Sequence, residues 1–357
     1  MQPDMVAAVA TTGGAETDRS LRQGLTIAEI ARLAGVSAPT VSKVVNGRAE
    51  VGAETRALVQ RVLQEHGYQH RRRNARASAL IELVFNQLAG VYPIEIIKGV
   101  QRVADENNLA VVVSESQGKQ TPRRGWIESV LTRRPSGVIP VFSDLSAEQR
   151  TQLAANRIPF VVLDPTGIPD DEIPSVGSTN WHGGLSATRH LLELGHRRIA
   201  AITGPSWALC SRARLDGYRA ALDAAGIPVD PALIRDGEFE IAGGLTSTTD
   251  LFRLPEPPTA VFALNDGMAI GVYHAASQAG LRIPQDLSVV GFDDYPLDAW
   301  LVPPLTTVRQ PLTDMGTAAA RMVLDLASGA ELPSRRRELA TELIVRSSTA
   351  APALPDP

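Results

Sequence analysis

Apolar positions recur along this chain with two different periods, and the change of period divides it. In Leu25 to Asn46, LTIAEIARLAGVSAPTVSKVVN, they fall at helical spacing: Ile27, Ile30, Ala31 and Ala34 share one face, and Val41, Val44 and Val45 another. Thr26 followed by Glu29 predicts a capping box at the first helix start, and Gly35 supplies the left-handed residue that ends the helix. Ser37 is placed to cap a second helix, whose first turn tolerates Pro39 because an N–H there has no intrahelical partner. Two short amphipathic helices joined by a tight turn make a helix-turn-helix. The face left outward on the second, Ala38, Pro39, Thr40, Ser42 and Lys43, is small and polar with one cation, which suits an element that enters a major groove.

From Ala79 the period shortens. Apolar runs at Ile81–Phe85, Leu109–Val113, Gly137–Val141, Phe160–Leu163, Ile199–Thr203, Ala260–Ala263 and Leu287–Phe292 read as strands, with a last one at Glu342–Arg346. Helical patterns lie between them at Ile94–Asn107, Ala147–Asn156, Gly183–Leu194, Arg212–Ala225, Ala242–Arg253, Asp266–Ala279 and Leu312–Ala327. Turn signals such as Gly195-His196, Gly226-Ile227-Pro228 and Pro303-Pro304 punctuate the units. This alternation predicts an α/β body with parallel strands.

Charge separates a DNA-binding hairpin from a purely structural one. Between Leu25 and Ala79 stand nine Lys or Arg (Arg32, Lys43, Arg48, Arg56, Arg61, Arg71, Arg72, Arg73, Arg76) against four acids (Glu29, Glu50, Glu54, Glu65). That head carries +5 on a chain of −4, so the remainder sums to −9 and phosphate-binding potential is confined to one place. At 357 residues, two or three domains are expected. The single cysteine, Cys210, excludes an internal disulfide framework and a cysteine metal cluster and points to a reducing compartment. Asp4 stands where a leader would be basic, and the apolar run Val6 to Ala10 is too short for a signal sequence. Residues 1–24 and 350–357 read as tails, and no run approaches the roughly 20 apolar residues of a membrane span. The sequence offers no glycine-rich phosphate loop after a strand, no metal-ligand spacing and no nucleophile with a matching base. No enzyme, cofactor or metal is expected.

Ligands of open α/β sheets sit beyond the carboxyl ends of the strands. Asp164, Asn265-Asp266 and Asp293-Asp294 stand at such ends, and Arg212 and Arg214 open a helix near Trp207. A strand-end Asp or Asn also serves as a helix cap, and Trp or Phe as core. His190 and His196 have a structural reading.

These residues carry a resemblance. Thr26 with GVSAPTVSKVVNG (Gly35 to Gly47), Glu54-Thr55-Arg56 and Gly67-Tyr68 is similar to the headpiece of the lactose-repressor (LacI/GalR) family. LDP (Leu163 to Pro165), SRARLDGY (Ser211 to Tyr218), LND (Leu264 to Asp266), GFDD (Gly291 to Asp294) and PPLTTVRQ (Pro303 to Gln310) resemble its effector domain. The resemblance implies an all-α helix-turn-helix headpiece plus an α/β effector domain of two subdomains, similar to type I periplasmic binding proteins, with parallel sheets. It implies a DNA-binding domain at 25–69 and a hinge at 70–79. It further implies one effector subdomain at 80–178 and 308–338, and another at 179–307 and 339–349. A third head helix is expected from about Ala53 to Glu65, with Leu58, Val59 and Val62 inward.

Carried over by position, Ala38, Pro39 and Lys43 face base edges, while Thr26, Ser37, Thr40, Ser42 and Asn46 hold phosphates; phosphate contacts position and base contacts specify. Asp164, Arg214, Asn265 and Asp293 would meet sugar hydroxyls, Phe239 and Trp207 would stack on the sugar ring, and Asn86 and Gln310 complete the candidate set. The stretch YQHRRRNARASALI is shorter than the family's hinge, with His70 and Arg71 where Pro-Asn is common, and either Ala77 or Leu80 at the place of the family's minor-groove leucine. Arg71, Arg72, Arg73 and Arg76 are candidates for phosphate or minor-groove contacts, with a solvated linker as the other reading.

The expectation is therefore a cytoplasmic homodimeric repressor of carbohydrate-utilisation genes, associated with the nucleoid when bound. Its partners are a pseudo-palindromic double-stranded operator and a mono- or oligosaccharide that releases it; no membrane takes part. The alternatives are a corepressor-dependent regulator that binds a nucleobase or phosphorylated metabolite, and an extracytoplasmic sugar-binding protein.

Overall fold

A computed structural model of the protein describes residues 27–45, 51–65, 78–116, 121–167 and 170–353. The chain divides into two compact units, Met1–Arg76 and Ala77–Pro357. Thr26 with its capping box, Asn46, the arginines Arg71, Arg72, Arg73 and Arg76, and the tail 1–24 lie outside the described residues.

The first unit holds α1 (Ile27–Leu33), α2 (Ala38–Val45) and α3 (Ala53–Glu65). Ile30, Ala31, Ala34, Val41, Val44, Val59 and Val62 form its core. Gly35 takes the left-handed conformation expected of it, at φ +61°. Ser37 caps α2 by accepting the Thr40 N–H at 3.3 Å. Leu58, expected inward, is 42 % exposed. The buried stripe of α3 runs through Val59 and Val62, and a residue one position earlier points about 100° away from it.

The second unit contains β1 (Ser78–Phe85), α4 (Tyr92–Glu106), β2 (Ala110–Glu115), α5 (Arg124–Arg133), β3 (Pro135–Val141), α6 (Ala147–Ala155), β4 (Val162–Leu163) and β5 (Ser175–Ser178). Then come α7 (Asn180–Glu193), β6 (Ile199–Thr203), α8 (Leu209–Ala224), β7 (Ile234–Asp236), α9 (Ile241–Leu251), β8 (Ala260–Ala263), α10 (Asp266–Gln278), β9 (Ser288–Asp293), β10 (Thr306–Arg309), α11 (Leu312–Ser328), β11 (Arg336–Leu339) and β12 (Glu342–Ile344). Two six-stranded sheets result, ordered β11-β5-β4-β3-β1-β2 and β12-β10-β9-β8-β6-β7. The first is parallel throughout; in the second only β12 runs antiparallel to its neighbour. Each has its own core, Ile81, Leu83, Ile139 and Leu163 in one, Ile202, Phe262, Val290 and Phe292 in the other.

The chain crosses between the sheets three times, after β5, after β10 and after β11. The expected boundary at 307/308 falls inside β10, whose Thr306 to Arg309 pair with Val290 to Asp293 of the second sheet. The boundary at 338/339 falls inside β11, where Leu339 still pairs with Ser178. The crossings lie just beyond, at Gln310 and at 340–341. Thr179 on the first crossing and Thr341 on the third join through their hydroxyls at 3.0 Å, and the Thr341 N–H donates to Thr179 Oγ1 at 2.9 Å.

Helices pack on these sheets in close pairs. A Cβ on Gly99 of α4 would lie 1.9 Å from the Thr313 carbonyl oxygen of α11, and one on Gly316 of α11 2.4 Å from the Ile96 oxygen. Backbone therefore touches backbone, which no other residue type permits.

The carboxyl-terminal segment is strapped to the second sheet. The His196 ring reaches Thr259 Oγ1 at 2.9 Å through Nδ1 and the Ala350 carbonyl at 2.8 Å through Nε2, which must carry the proton; His190 Nε2 meets Thr349 Oγ1 at 3.0 Å.

Gly99→Ala should cost about 3 kcal/mol, because neither helix can yield without moving the other; a shift in the urea midpoint reports it. Burial lowers the affinity of both imidazoles for protons. The unfolded chain then binds protons first, so their contribution to stability is lost as pH falls below 6.5. The advantage in Tm of the wild type over His196→Gln should accordingly shrink between about pH 7.5 and pH 5.5.

Candidate functional site

The strand ends of the second unit are backbone positions under strain. Phe142 after β3, Asp164 after β4, Phe239 after β7 and Asp293 closing β9 all have positive φ, at 49°, 51°, 62° and 122°. Non-glycine residues held in that region cost free energy and gather where side chains must be aimed.

Arg214, on α8, stands near Asp164, Phe239 and Asp293 and is only 3 % exposed. Its Nε donates to Asn180 Oδ1 at 2.8 Å, Nη1 to the Leu264 carbonyl at 2.6 Å and Nη2 to Gln310 Oε1 at 2.6 Å. The guanidinium lies over the Phe292 ring, 3.6 Å from its centroid. Asp293 Oδ1 stands 3.5 Å from Nη1, beyond hydrogen-bond distance, and has no hydrogen-bond partner although it is enclosed. From the first sheet, Asp164 accepts the Tyr92 hydroxyl at 3.1 Å. Burial pushes the Asp293 carboxyl up to about 7 against the opposing pull of Arg214. Asp164 is raised by burial too, with Arg214 and hydrogen bonds from Tyr92 and Gln310 opposing.

Behind this cluster, Asp266 accepts the Thr307 hydroxyl at 2.6 Å and the Tyr295 N–H at 3.2 Å. It shares its enclosure with Asp298, and burial together with the neighbouring acid raises it far above an ordinary carboxyl. Asp294 is neutralised instead by Arg309 and Arg346.

On one flank stand three half-buried aromatic rings. Phe142 of the first sheet faces Trp207 at 5.1 Å between centroids and meets Phe239 edge-on at 6.2 Å. A Cβ on Gly204 would come within 2.2 Å of the Phe239 ring, so the glycine is the seat of that ring.

Of the residues picked out in the sequence, Asp164, Arg214, Asp293 and Gln310 converge, and Phe239 and Trp207 form the flank with Phe142. Asn265 acts as the cap of α10, its Oδ1 accepting the Met268 N–H at 2.8 Å while Nδ2 donates to the Phe239 carbonyl at 3.1 Å. Asn86 lies apart from these bonds, next to Ser116. Sequence reasoning missed Tyr92, Phe142, Asn180 and Phe292. Phe142 had a signal, since it directly follows a predicted strand; Asn180 had none before the crossing was known.

In the first unit, Ala38 and Pro39 of α2 and the capping Ser37 are exposed, and Thr40, Ser42 and Lys43 are half-buried on the same helix. No group of three or more His, Cys, Asp or Glu among the described residues is arranged to hold a metal ion. No described helix is long and apolar enough to cross a membrane.

Residues 26–70 match bacterial regulatory proteins of the lacI family, and 188–349 match the periplasmic binding protein-like domain. The HTH-type transcriptional repressor CytR of Escherichia coli (strain K12) is 33 % identical over 330 residues, 91 % of this chain and 96 % of that protein. A structure of the transcriptional regulator CelR in complex with cellobiose is 32 % identical, with a TM-score of 0.69, covering 91 % of this chain and 99 % of that one. The lac repressor dimer bound to operator and an anti-inducer is 30 % identical with a TM-score of 0.67, covering 92 % of this chain and all of the other. A DNA-binding segment and an effector-type body joined in one chain, with this identity along nine-tenths of its length, place the protein in the lacI family of bacterial transcriptional regulators.

Proposed function

We propose that this chain is a homodimeric repressor that holds a pseudo-palindromic operator with α2 and is released when a mono- or oligosaccharide binds at the Arg214 cluster. The observation that carries the proposal is the position of Arg214. One guanidinium holds Asn180 and Gln310, at two of the three crossings, and stands beside Asp293. Neighbouring hydroxyls of a pyranose fit the forks of carboxylate and guanidinium, and its C–H face fits the rings of Phe142, Trp207 and Phe239. A sugar that draws on the guanidinium competes with the crossings for it, so occupancy and the relation of the two sheets are linked.

Binding rather than catalysis is the role we assign to the cluster. The Cys210 thiol, its one sulfur nucleophile, is buried and held far from the thiolate form. A phosphate-bearing corepressor fits poorly, because Arg214 is the cation of the cluster and already stands beside the carboxyls of Asp293 and Asp164. Acting on DNA places the protein in the cytoplasm, at the nucleoid when bound.

On DNA, we assign base-edge contacts to Ala38, Pro39 and Lys43 and phosphate contacts to Thr26, Ser37, Thr40, Ser42 and Asn46. Arg71, Arg72, Arg73 and Arg76 are assigned to phosphates or a narrow minor groove. The base-reading residues offer few hydrogen bonds, so half-site spacing and DNA shape carry much of the specificity.

Against duplexes selected by the wild type from a random library, Lys43→Ala should weaken binding about tenfold. Replacing Arg71, Arg72 and Arg73 by alanine should lower the salt slope of log K by roughly 2 to 3, and an unchanged slope would remove those arginines from the interface. Arg214→Lys keeps the charge and loses the fork. It should raise the sugar concentration needed for release about a hundredfold or more. Release at wild-type concentrations would place the effector elsewhere.

A further inference from the structure

The strands of the first sheet all run the same way, so their amino ends share one edge, and the chain coming from the head enters there at Ser78. A turn fastens that entry. The Ser78 N–H donates to the Arg134 carbonyl at 2.8 Å, its hydroxyl donates to the Arg133 carbonyl, and the Ser136 hydroxyl donates to the Ser78 carbonyl at 3.2 Å. Beneath the turn, the Arg133 guanidinium grips the fully buried Glu82 carboxylate of β1 through Nε at 2.9 Å and Nη2 at 2.5 Å. Arg133 is thereby neutralised, and its neighbour Arg134 is not.

Three helices deliver chain to this edge, and each is followed by a residue in the left-handed region: Asn108 after α4 at φ 53°, Arg134 after α5 at 50° and Arg157 after α6 at 54°. Asparagine and glycine take that conformation at least cost, and arginine has no such advantage. Nor do the two arginines gain a partner. Among the described residues neither guanidinium has a hydrogen bond or an ion pair; Arg157 is exposed and Arg134 half-buried. A cation does gain from the dipole at a helix carboxyl end, but one inside the last turn has that gain without the strained backbone. Because β4, β3 and β1 are neighbours, both cations stand within two strand spacings, about 10 Å, of the strand that receives the linker. The acids of the edge lie at its flanks, Asp105 and Glu106 before β2 and Asp170, Asp171 and Glu172 before β5. Residues 78, 133–136 and 156–159 between them include none.

We propose that this edge of the body is a second DNA contact, in which Arg134 and Arg157 hold operator phosphates alongside the linker. This rests on the operator binding proposed above and adds to it a surface outside the head. Charge supplies the reason. Everything beyond the head and linker sums to −9, and an acidic body tethered to a polyanion is repelled unless the face nearest the DNA is positive. A guanidinium fork matches a phosphate, and an unpaired one has all its donors to give. Phosphate contacts position without reading bases. The edge therefore strengthens binding to every site alike and fixes how the body is held on the duplex.

The test is the salt dependence of binding by the full chain to a duplex that the wild type selects from a random library. Arg134→Asn combined with Arg157→Asn should lower the salt slope of log K by about 2 or more and weaken binding about tenfold at about 0.1 M salt. Its Tm should equal or exceed that of the wild type, because asparagine suits the left-handed backbone. Arg134→Lys combined with Arg157→Lys keeps the charge and should keep the slope. Arg123→Asn combined with Arg124→Asn removes the same charge from the exposed opposite end of α5 and should leave the slope within about 0.5 of the wild type. If the first asparagine pair retains the wild-type slope, if the second lowers it equally, or if the lysine pair loses it, the edge contact falls and the operator reading stands. If the wild type selects no duplex, both fall.

Discussion

A guanidinium enclosed between two sheets must find acceptors, and the second unit is arranged around the need of Arg214 for them. Its partners come from the first crossing, from the end of β8 and from the second crossing, residues 34 and 96 positions away along the chain in the two side-chain cases. Phe292 supplies the flat surface beneath, and Asp293, the very next residue, supplies the opposing charge. All of them lie on the second sheet's side of the body, so the arginine fixes where two of the crossings leave that sheet. The geometry of the Arg214 cluster and the geometry of those crossings are therefore one problem with one solution.

Backbone contacts make that solution rigid. Gly184 of α7 lies so close to Arg214 that a Cβ would come within 2.1 Å of the arginine's carbonyl oxygen, and Gly217 of α8 approaches the Trp181 oxygen in the same way. The helix that carries the guanidinium is thus pressed against the helix that begins with Asn180, so donor and acceptor are set by main chain rather than by flexible side chains. Strained φ values at Asp164, Phe239 and Asp293 aim the remaining groups. The free energy for holding them comes from the two apolar cores beneath.

Much of this was legible in the sequence where a property belongs to the segment itself. Ile199–Thr203 and Ala260–Ala263 are continuous apolar runs, and both strands begin and end where their residues say. The strands β5, β7 and β11, with sequences SVGS, IRD and RREL, carry little strand signal in their composition, and β10, TTVR, has β-branched residues but is only four residues long between prolines and a helix; neighbours make them strands. The helix α5 escaped for the same reason, burying only Ile127 and Val130. In the site, Asp164 and Asp293 were visible because they terminate apolar runs. Asn265 shows the limit of that rule, since its oxygen serves as the cap that strand-end residues often provide. Asn180 and Tyr92 draw their roles from contacts between distant segments, which no local pattern encodes.

The three crossings also set an order on the making of the protein. The first sheet has four of its neighbouring strands by Leu163, yet its edge strand β11 is residues Arg336–Leu339 and the helix that seals α4 is Leu312–Ser328. The second sheet likewise waits for β12. Neither half can close its core until nearly all of the chain has left the ribosome, whereas the head, whose three helices end at Glu65, depends on no later residue for its core. A nascent chain of this architecture carries a finished DNA-binding head well before it has anything able to sense a ligand.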